Sequence, residues 1–286
     1  MSGAAVYGEY DQAGLDVQYN NQQTVPDFQA ILARHRADTA RAKAAHAWRE
    51  AAYGTRPEER LDLYLPRRDR APVQVFVHGG GWRSLSKEDS GFPAPAWLDA
   101  GFLFVALDFA LVPAVALDEM VREVRAAVAW LWRNVAAYGG DRDRIHLSGH
   151  SSGAHLVSQC LVADWARDFD APADLIKSAA FVSGLGDLEP VRLSYRNASL
   201  KLDAAAVGRL SLVRRPPTVR CPLVAACAEG DTDEFRRQTR AVAEYWRRQG
   251  LPSALLELAG RNHFDGAYAL AESDHALFRA CVAAAA

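Results

Sequence analysis

The chain has 286 residues, 50% apolar and 24% charged, with a net charge of −2, enough to bury one sizeable core. It lacks the basic excess that draws a protein to nucleic acid or to an acidic membrane surface. No apolar run approaches the ~20 residues needed to span a bilayer.

Residues 1–27 are polar and rich in Gln, Asn and Tyr, without the charged start and apolar centre of a leader peptide. They read either as a disordered tail or as an ordered arm over an active-site mouth. The expected location is the cytoplasm, the expected partner a small-molecule substrate, and a homodimer is compatible with such a chain. Cys160, Cys221, Cys227 and Cys281 all fall in or beside apolar runs and are expected to be buried free thiols.

Ala30 to Ala52 is rich in Ala and Arg and is expected to be helical, with Pro26-Asp27 as its start and Gly54 as its stop. Strands are expected at Arg60–Pro66, Pro72–Val77 and Gly101–Leu107, the last almost unbroken in apolar residues. Leu117, Val121, Val124, Val128, Leu131 and Val135 recur at helical steps, and Gly139-Gly140 closes that helix. Arg144–Ser148 reads as a buried strand and Ala154–Val162 as a helix. Further strands are expected at Ser178–Gly184, Pro222–Ala228 and Ser253–Leu258, with helices at Phe235–Gln249 and Ser273–Ala283.

Residues 185–219 show no strong period and are expected to be a lid-like insertion over the sheet edge. The whole is read as one α/β domain over residues 1–286, with an N-terminal arm and helix at about 1–54. Strands alternating with helices imply a mostly parallel sheet covered on both faces. Ligands in such sheets sit at the carboxyl ends of the strands, so the residues just past each strand should converge.

Between the strand at Arg144–Ser148 and the helix that follows lies Gly149-His150-Ser151-Ser152-Gly153. Strand, G-x-S-x-G, helix is the setting of a nucleophile elbow, in which a sharp turn lifts the Ser151 hydroxyl clear of the sheet. A serine needs a positioned base, and the base needs an acid that fixes its tautomer. In this arrangement the chain order is serine, acid, histidine. Asp231 stands in the turn beyond the strand that ends at Ala228, whereas Asp233 and Glu234 read as first-turn helix acids. His263 is the histidine of the loop beyond the next strand and is the expected base.

Three consecutive glycines in His78-Gly79-Gly80-Gly81-Trp82 imply a need for backbone access. The amides of Gly80 and Gly81, with that of Ser152, are expected to form an oxyanion hole. His78 is expected to anchor this loop. Trp82, Tyr195 and Phe264 could line an aromatic-accepting pocket or belong to the core. His150 and His155 are expected to pack or to wall the pocket, and His35, His46 and His275 to be surface or structural. His146 and His150 are too far apart on a strand to share a metal, and nothing shows metal-ligand spacing or a dinucleotide or phosphate-loop fingerprint. No cofactor is expected.

With these residues in place the chain resembles the α/β-hydrolase superfamily, and within it the kynurenine formamidase (arylformamidase)-like branch related to HGGG-type esterases. The resemblance runs from about Tyr53 to Asp265, on His78–Trp82, Gly149–Leu156, Asp231–Gln238 and Asn262–Asp265. Ser183–Asn197 looks like the start of that branch's lid. The branch usually carries an aromatic residue where Gly81 stands and alanine where Ser152 stands, and Asp108–Pro113 replaces a tyrosine-containing stretch. The resemblance puts the triad on Ser151, Asp231 and His263. It implies a cofactor-free serine hydrolase acting on an aryl formamide of the N-formylkynurenine type, with small acyl or aryl esters and aryl carbamates as alternatives. A non-catalytic binding protein on the same fold is the remaining alternative.

Overall fold

The computed structural model describes residues 4–286; residues 1–3 of the arm lie outside it. Its strands are β1 (Trp48–Ala52), β2 (Arg60–Tyr64), β3 (Ala71–Val77), β4 (Leu103–Leu107), β5 (Gly140–His150), β6 (Ile176–Val182), β7 (Leu223–Gly230) and β8 (Ser253–Asn262). They form one eight-stranded sheet in the order β1-β2-β4-β3-β5-β6-β7-β8. From β4 to β8 every pairing is parallel, while β1 and β2 are antiparallel at one edge. All residues of β3 and β4 are buried, as strands covered on both faces must be. This is the α/β-hydrolase fold.

The N-terminal arm is ordered into α1 (Gln12–Gln18) and α2 (Asn21–Thr24), and α3 (Phe28–Ala45) follows. Next come α4 (Ala94–Asp99), α5 (Leu117–Asn134), α6 (Ser152–Cys160) and α7 (Trp165–Phe169). The 185–219 segment carries three short helices, α8 (Glu189–Leu193), α9 (Asn197–Leu200) and α10 (Ala204–Leu210), before α11 (Asp233–Arg248) and α12 (Ala276–Ala284) complete the chain.

Two apolar clusters sandwich the sheet. One joins Val75, Leu147, Phe181 and Leu223 to Val124, Val128 and Leu131 of α5, Leu156 of α6 and Trp246 of α11. The other sets Trp97 of α4 and Phe278 of α12 against Phe76, Phe104 and Ala180. Burying a side chain such as Leu131 or Trp97 stabilises the fold by ~1.5–3 kcal/mol each.

The structure corrects the expected helix at Ala30–Ala52. It ends at Ala45, and Trp48–Ala52 pairs with β2 across the sheet edge. Local propensity favoured continuation, but the ladder to β2 satisfies the backbone polar groups instead. Helix α4 was not expected either, because its six residues are too few to establish a period. All four cysteines are buried free thiols. Among the described residues no helix is long and apolar enough to cross a membrane.

Candidate active site

Five adjacent strands, β3, β5, β6, β7 and β8, end on the same side of the sheet. The residues just past them are His78, Ser151, Ser183, Asp231 and His263.

Ser151 has φ 56° and ψ −124°, a conformation that costs ~1–3 kcal/mol for a residue with a Cβ. Its amide donates to the Val182 carbonyl at 2.9 Å, and its carbonyl accepts from the Ala154 amide at 3.0 Å, so both sides of the turn are anchored. The approach of α6 to β3 is close enough that a Cβ at Gly153 would strike the carbonyls of Val77 and His78. Only glycine lets the strand and helix meet here.

His263 Nδ1 lies 2.6 Å from Asp231 Oδ1, and His263 Nε2 lies 3.0 Å from Ser151 Oγ. An ionised carboxylate can only accept, so Nδ1 carries the proton and Nε2 is left as the acceptor facing the serine. All three residues are buried, with exposures of 7% or less. Burial pushes the Asp231 carboxyl up. The His263 imidazole and hydrogen bonds from His263, Ser183 and the Ala228 amide outweigh burial and hold it below the ordinary carboxylate range. Asp233 instead opens α11 in its first turn.

Ser183 lies outside the residues singled out from the sequence. Its hydroxyl donates to Asp231 Oδ2 at 2.6 Å, and the Ala228 amide donates to the same oxygen at 2.8 Å. The expected convergence past each strand end could have found it. His150, expected to pack or to wall the pocket, is buried and lines it. Its Nε2–H donates to the His263 carbonyl at 2.7 Å, fixing the backbone that carries the imidazole. Burial lowers its pKa to about 3, with the neighbouring His263 adding to the effect, so it stays neutral.

The glycine loop leans on the elbow. The Trp82 amide donates to Ser152 Oγ at 3.1 Å, a use for the serine that stands where alanine is usual. Gly80 has φ 98°, and a side chain there would strike the Ser84 carbonyl. Gly80, Gly81 and Ser151 line one pocket of about 440 Å³. The Ser152 amide belongs to the first turn of α6, beside Ser151. His78 stacks on Phe109 at 4.3 Å and donates from Nδ1 to the Gly79 carbonyl at 2.9 Å.

Of the three expected pocket aromatics, Tyr195 and Phe264 line the cavity and Trp82 does not. Trp82 is 1% exposed, and its indole N–H donates to His155 Nδ1 at 3.3 Å. The reason is local. Gly81 and Trp82 both adopt positive φ (62° and 63°), a turn that takes the indole inward beneath the loop. His155 is a packing residue, its Nε2–H bonded to the Leu210 carbonyl at 2.9 Å, and His146 is another, 2.9 Å from Ser178 Oγ.

The remaining walls come from remote segments. Asn20, Asn21 and Gln22 enter from the arm, His35 from α3, and Arg196 from the 185–219 segment. His35 is buried, stacked on Phe92 at 4.4 Å, so it is a pocket residue rather than a surface one. Among the described residues no cluster of His, Cys, Asp or Glu could hold a metal ion.

Known proteins resemble this chain in sequence and in fold. The BD-FAE family matches residues 61–180. A kynurenine formamidase of Danio rerio is 30% identical over 264 residues, covering 87% of this chain and 88% of that protein. One from Salmo salar is 33% identical, covering 79% of this chain and 77% of that protein. Among solved structures, a provisionally named thioesterase of Silicibacter sp. superposes with a TM-score of 0.82 at 25% identity, covering 94% of this chain and 98% of that one. A thermophilic carboxylesterase from a metagenomic library gives 0.70 at 19% identity, over 90% and 93% of the two chains, a likeness of fold. The chain belongs to the kynurenine formamidase-like branch of the α/β-hydrolase superfamily.

Proposed function

We propose that this enzyme is a serine hydrolase that cleaves an aryl formamide of the N-formylkynurenine type through a covalent acyl-enzyme. The observation that carries the proposal is the continuous hydrogen-bonded line Ser151–His263–Asp231, with links of 3.0 and 2.6 Å, facing a pocket. Ser151 Oγ attacks the formyl carbonyl as His263 Nε2 takes the hydroxyl proton. Asp231 holds the imidazole in the required tautomer and stabilises the imidazolium. The oxygen of the tetrahedral intermediate takes up charge within reach of the Gly80, Gly81 and Ser152 amides, each such donor supplying ~3 kcal/mol of transition-state stabilisation. The C–N bond breaks as His263 returns the proton to the departing aryl amine. Water, activated by the same imidazole, then releases formate and restores the serine.

Coverage of nearly nine-tenths of the Danio rerio relative favours a formamide over an ester as substrate. The thioesterase and carboxylesterase neighbours keep small acyl and aryl esters as the second reading. Initial rates on N-formylkynurenine and p-nitrophenyl acetate separate the two, and an ester kcat/KM far above the formamide value sinks the first. Ser151→Ala is expected to abolish turnover of both, by ~10⁶-fold in kcat, and to abolish labelling by a fluorophosphonate.

A further inference from the structure

Arg196 is anchored from outside its own segment. Its Nε donates to the Tyr19 carbonyl of the arm at 2.8 Å, and its guanidinium lines the pocket. A methyl group added at Gly81 would collide with Arg196 Nη1, so the cation fills the space a side chain at position 81 would take. Among the described residues no carboxylate stands within ion-pair distance of it. The carboxylate that does line the pocket, Asp89, is already paired with Arg36 at 3.0 Å. Arg83 lines the same wall and adds a second positive charge near Arg196.

A partly buried cation without a counter-ion is costly unless something else neutralises it. The neighbouring walls hold other polar groups without partners. Asn21 is 3% exposed, and neither polar atom of its amide has a hydrogen-bond partner. His35, on the next wall, has an unpartnered buried Nε2. A wholly apolar acyl or aryl group would leave all of these unsatisfied. A ligand with an anionic group would pair the arginine and give Asn21 a partner.

We propose that Arg196, with Asn21 lining the same pocket, is a specificity determinant that selects substrates carrying a carboxylate in addition to the bond that is cleaved. The inference rests on the serine-hydrolase reading and narrows its substrate class to molecules that carry a carboxylate. A site built around a hydrogen-bonding group rejects analogues that lack its partner more strongly than an apolar pocket does. Neutral esters of similar size should therefore be poorer substrates than carboxylates.

The test compares formate release from N-formylkynurenine and from its methyl ester, in which the carboxylate is masked and the ammonium kept. In the wild type the acid is expected to exceed the ester in kcat/KM by about 30-fold, the scale of a charge-assisted hydrogen-bonded pair. Arg196→Gln should bring that ratio close to one, and Arg196→Lys should keep most of it. The ratio is read within one preparation, so loss of folded enzyme cancels. A wild-type ratio near one, or a ratio that survives in Arg196→Gln, overturns the proposal. If neither formamide turns over while p-nitrophenyl acetate does, the formamide reading fails and the anion site is read by inhibition. Benzoate should then inhibit ester hydrolysis at lower concentration than benzamide, a difference Arg196→Gln erases. Equal inhibition by the two in the wild type overturns the anion site.

Discussion

The side chains at the pocket floor stand on the carboxyl ends of neighbouring strands in one sheet, whereas the groups opposite them arrive on an arm and a run of short helices. On the floor, the Asp231 carboxylate receives bonds from Ser183, the Ala228 amide and His263, each from a strand end or the turn beside it. On the walls, the Arg196 guanidinium makes one hydrogen bond, to the carbonyl of Tyr19, and lies over the Tyr195 ring. The floor has redundant supports within a rigid ladder. The walls depend on contacts between segments far apart in sequence. Under the proposed mechanism, such an arrangement would keep the reacting groups fixed while leaving the groups that meet the substrate free to vary.

Substitutions on the floor should therefore depress turnover of every substrate alike. The largest effect after loss of the nucleophile is expected for Asp231→Asn, which lowers kcat by ~10⁴-fold because the amide no longer enforces the Nδ1–H tautomer. A loss confined to one substrate would break the distinction between floor and walls.

Ser183→Ala should be milder, lowering kcat by ~10-fold or somewhat more through loss of one hydrogen bond to a charged group. It should also raise the Asp231 carboxyl toward the ordinary range, a shift read by NMR titration of that carboxylate. An unshifted titration would show that the hydroxyl merely packs.

The smallest expected effect lies beneath the site, in stability. Burial lowers the pKa of His146 to about 4, with Arg144 and Lys177 contributing. The unfolded chain binds that proton near the ordinary value of ~6.5. The neutral imidazole's contribution is thus whole above that value and lost as pH falls toward about 4. Replacing the pair together, His146→Leu with Ser178→Ala, should flatten the dependence of unfolding free energy on pH by up to ~1.4 kcal/mol per pH unit in that window. Denaturant titrations at several pH values measure it, and an unchanged slope would remove His146 from the account.

The floor was the more legible part because strand-end chemistry is local. Gly149–Gly153 announces a turn by its own spacing, and Asp231 and His263 each lie in a short loop immediately after an apolar run. Ser183 obeys the same rule, but one serine after a strand carries no chemical signal until its carboxylate partner is seen. The sheet from β2 to β8 follows from apolar patterning, whereas β1 does not. Trp48–Ala52 becomes a strand only because β2 offers it an edge. Arg196 was illegible for a related reason, since 177 residues separate it from the carbonyl that aims it. Trp82 stayed open between pocket wall and core because its side depends on the positive φ of Gly81 and of Trp82 itself, which the sequence does not display.

The dependence of Arg196 on Tyr19 reaches into how this enzyme should be handled. The Tyr19 hydroxyl also donates to Glu234 at 2.9 Å and accepts from Gln238 at 2.8 Å, and Gln238 in turn receives the Gly186 and Asp187 amides at the start of the 185–219 segment. A recombinant chain trimmed to begin at Phe28 would keep Ser151 and all eight strands. It would lose the splint between the two walls together with the bonds Gln18 makes to Thr232 and Glu234 just past Asp231, so trimming the arm should reach turnover as well as any selectivity that Arg196 confers.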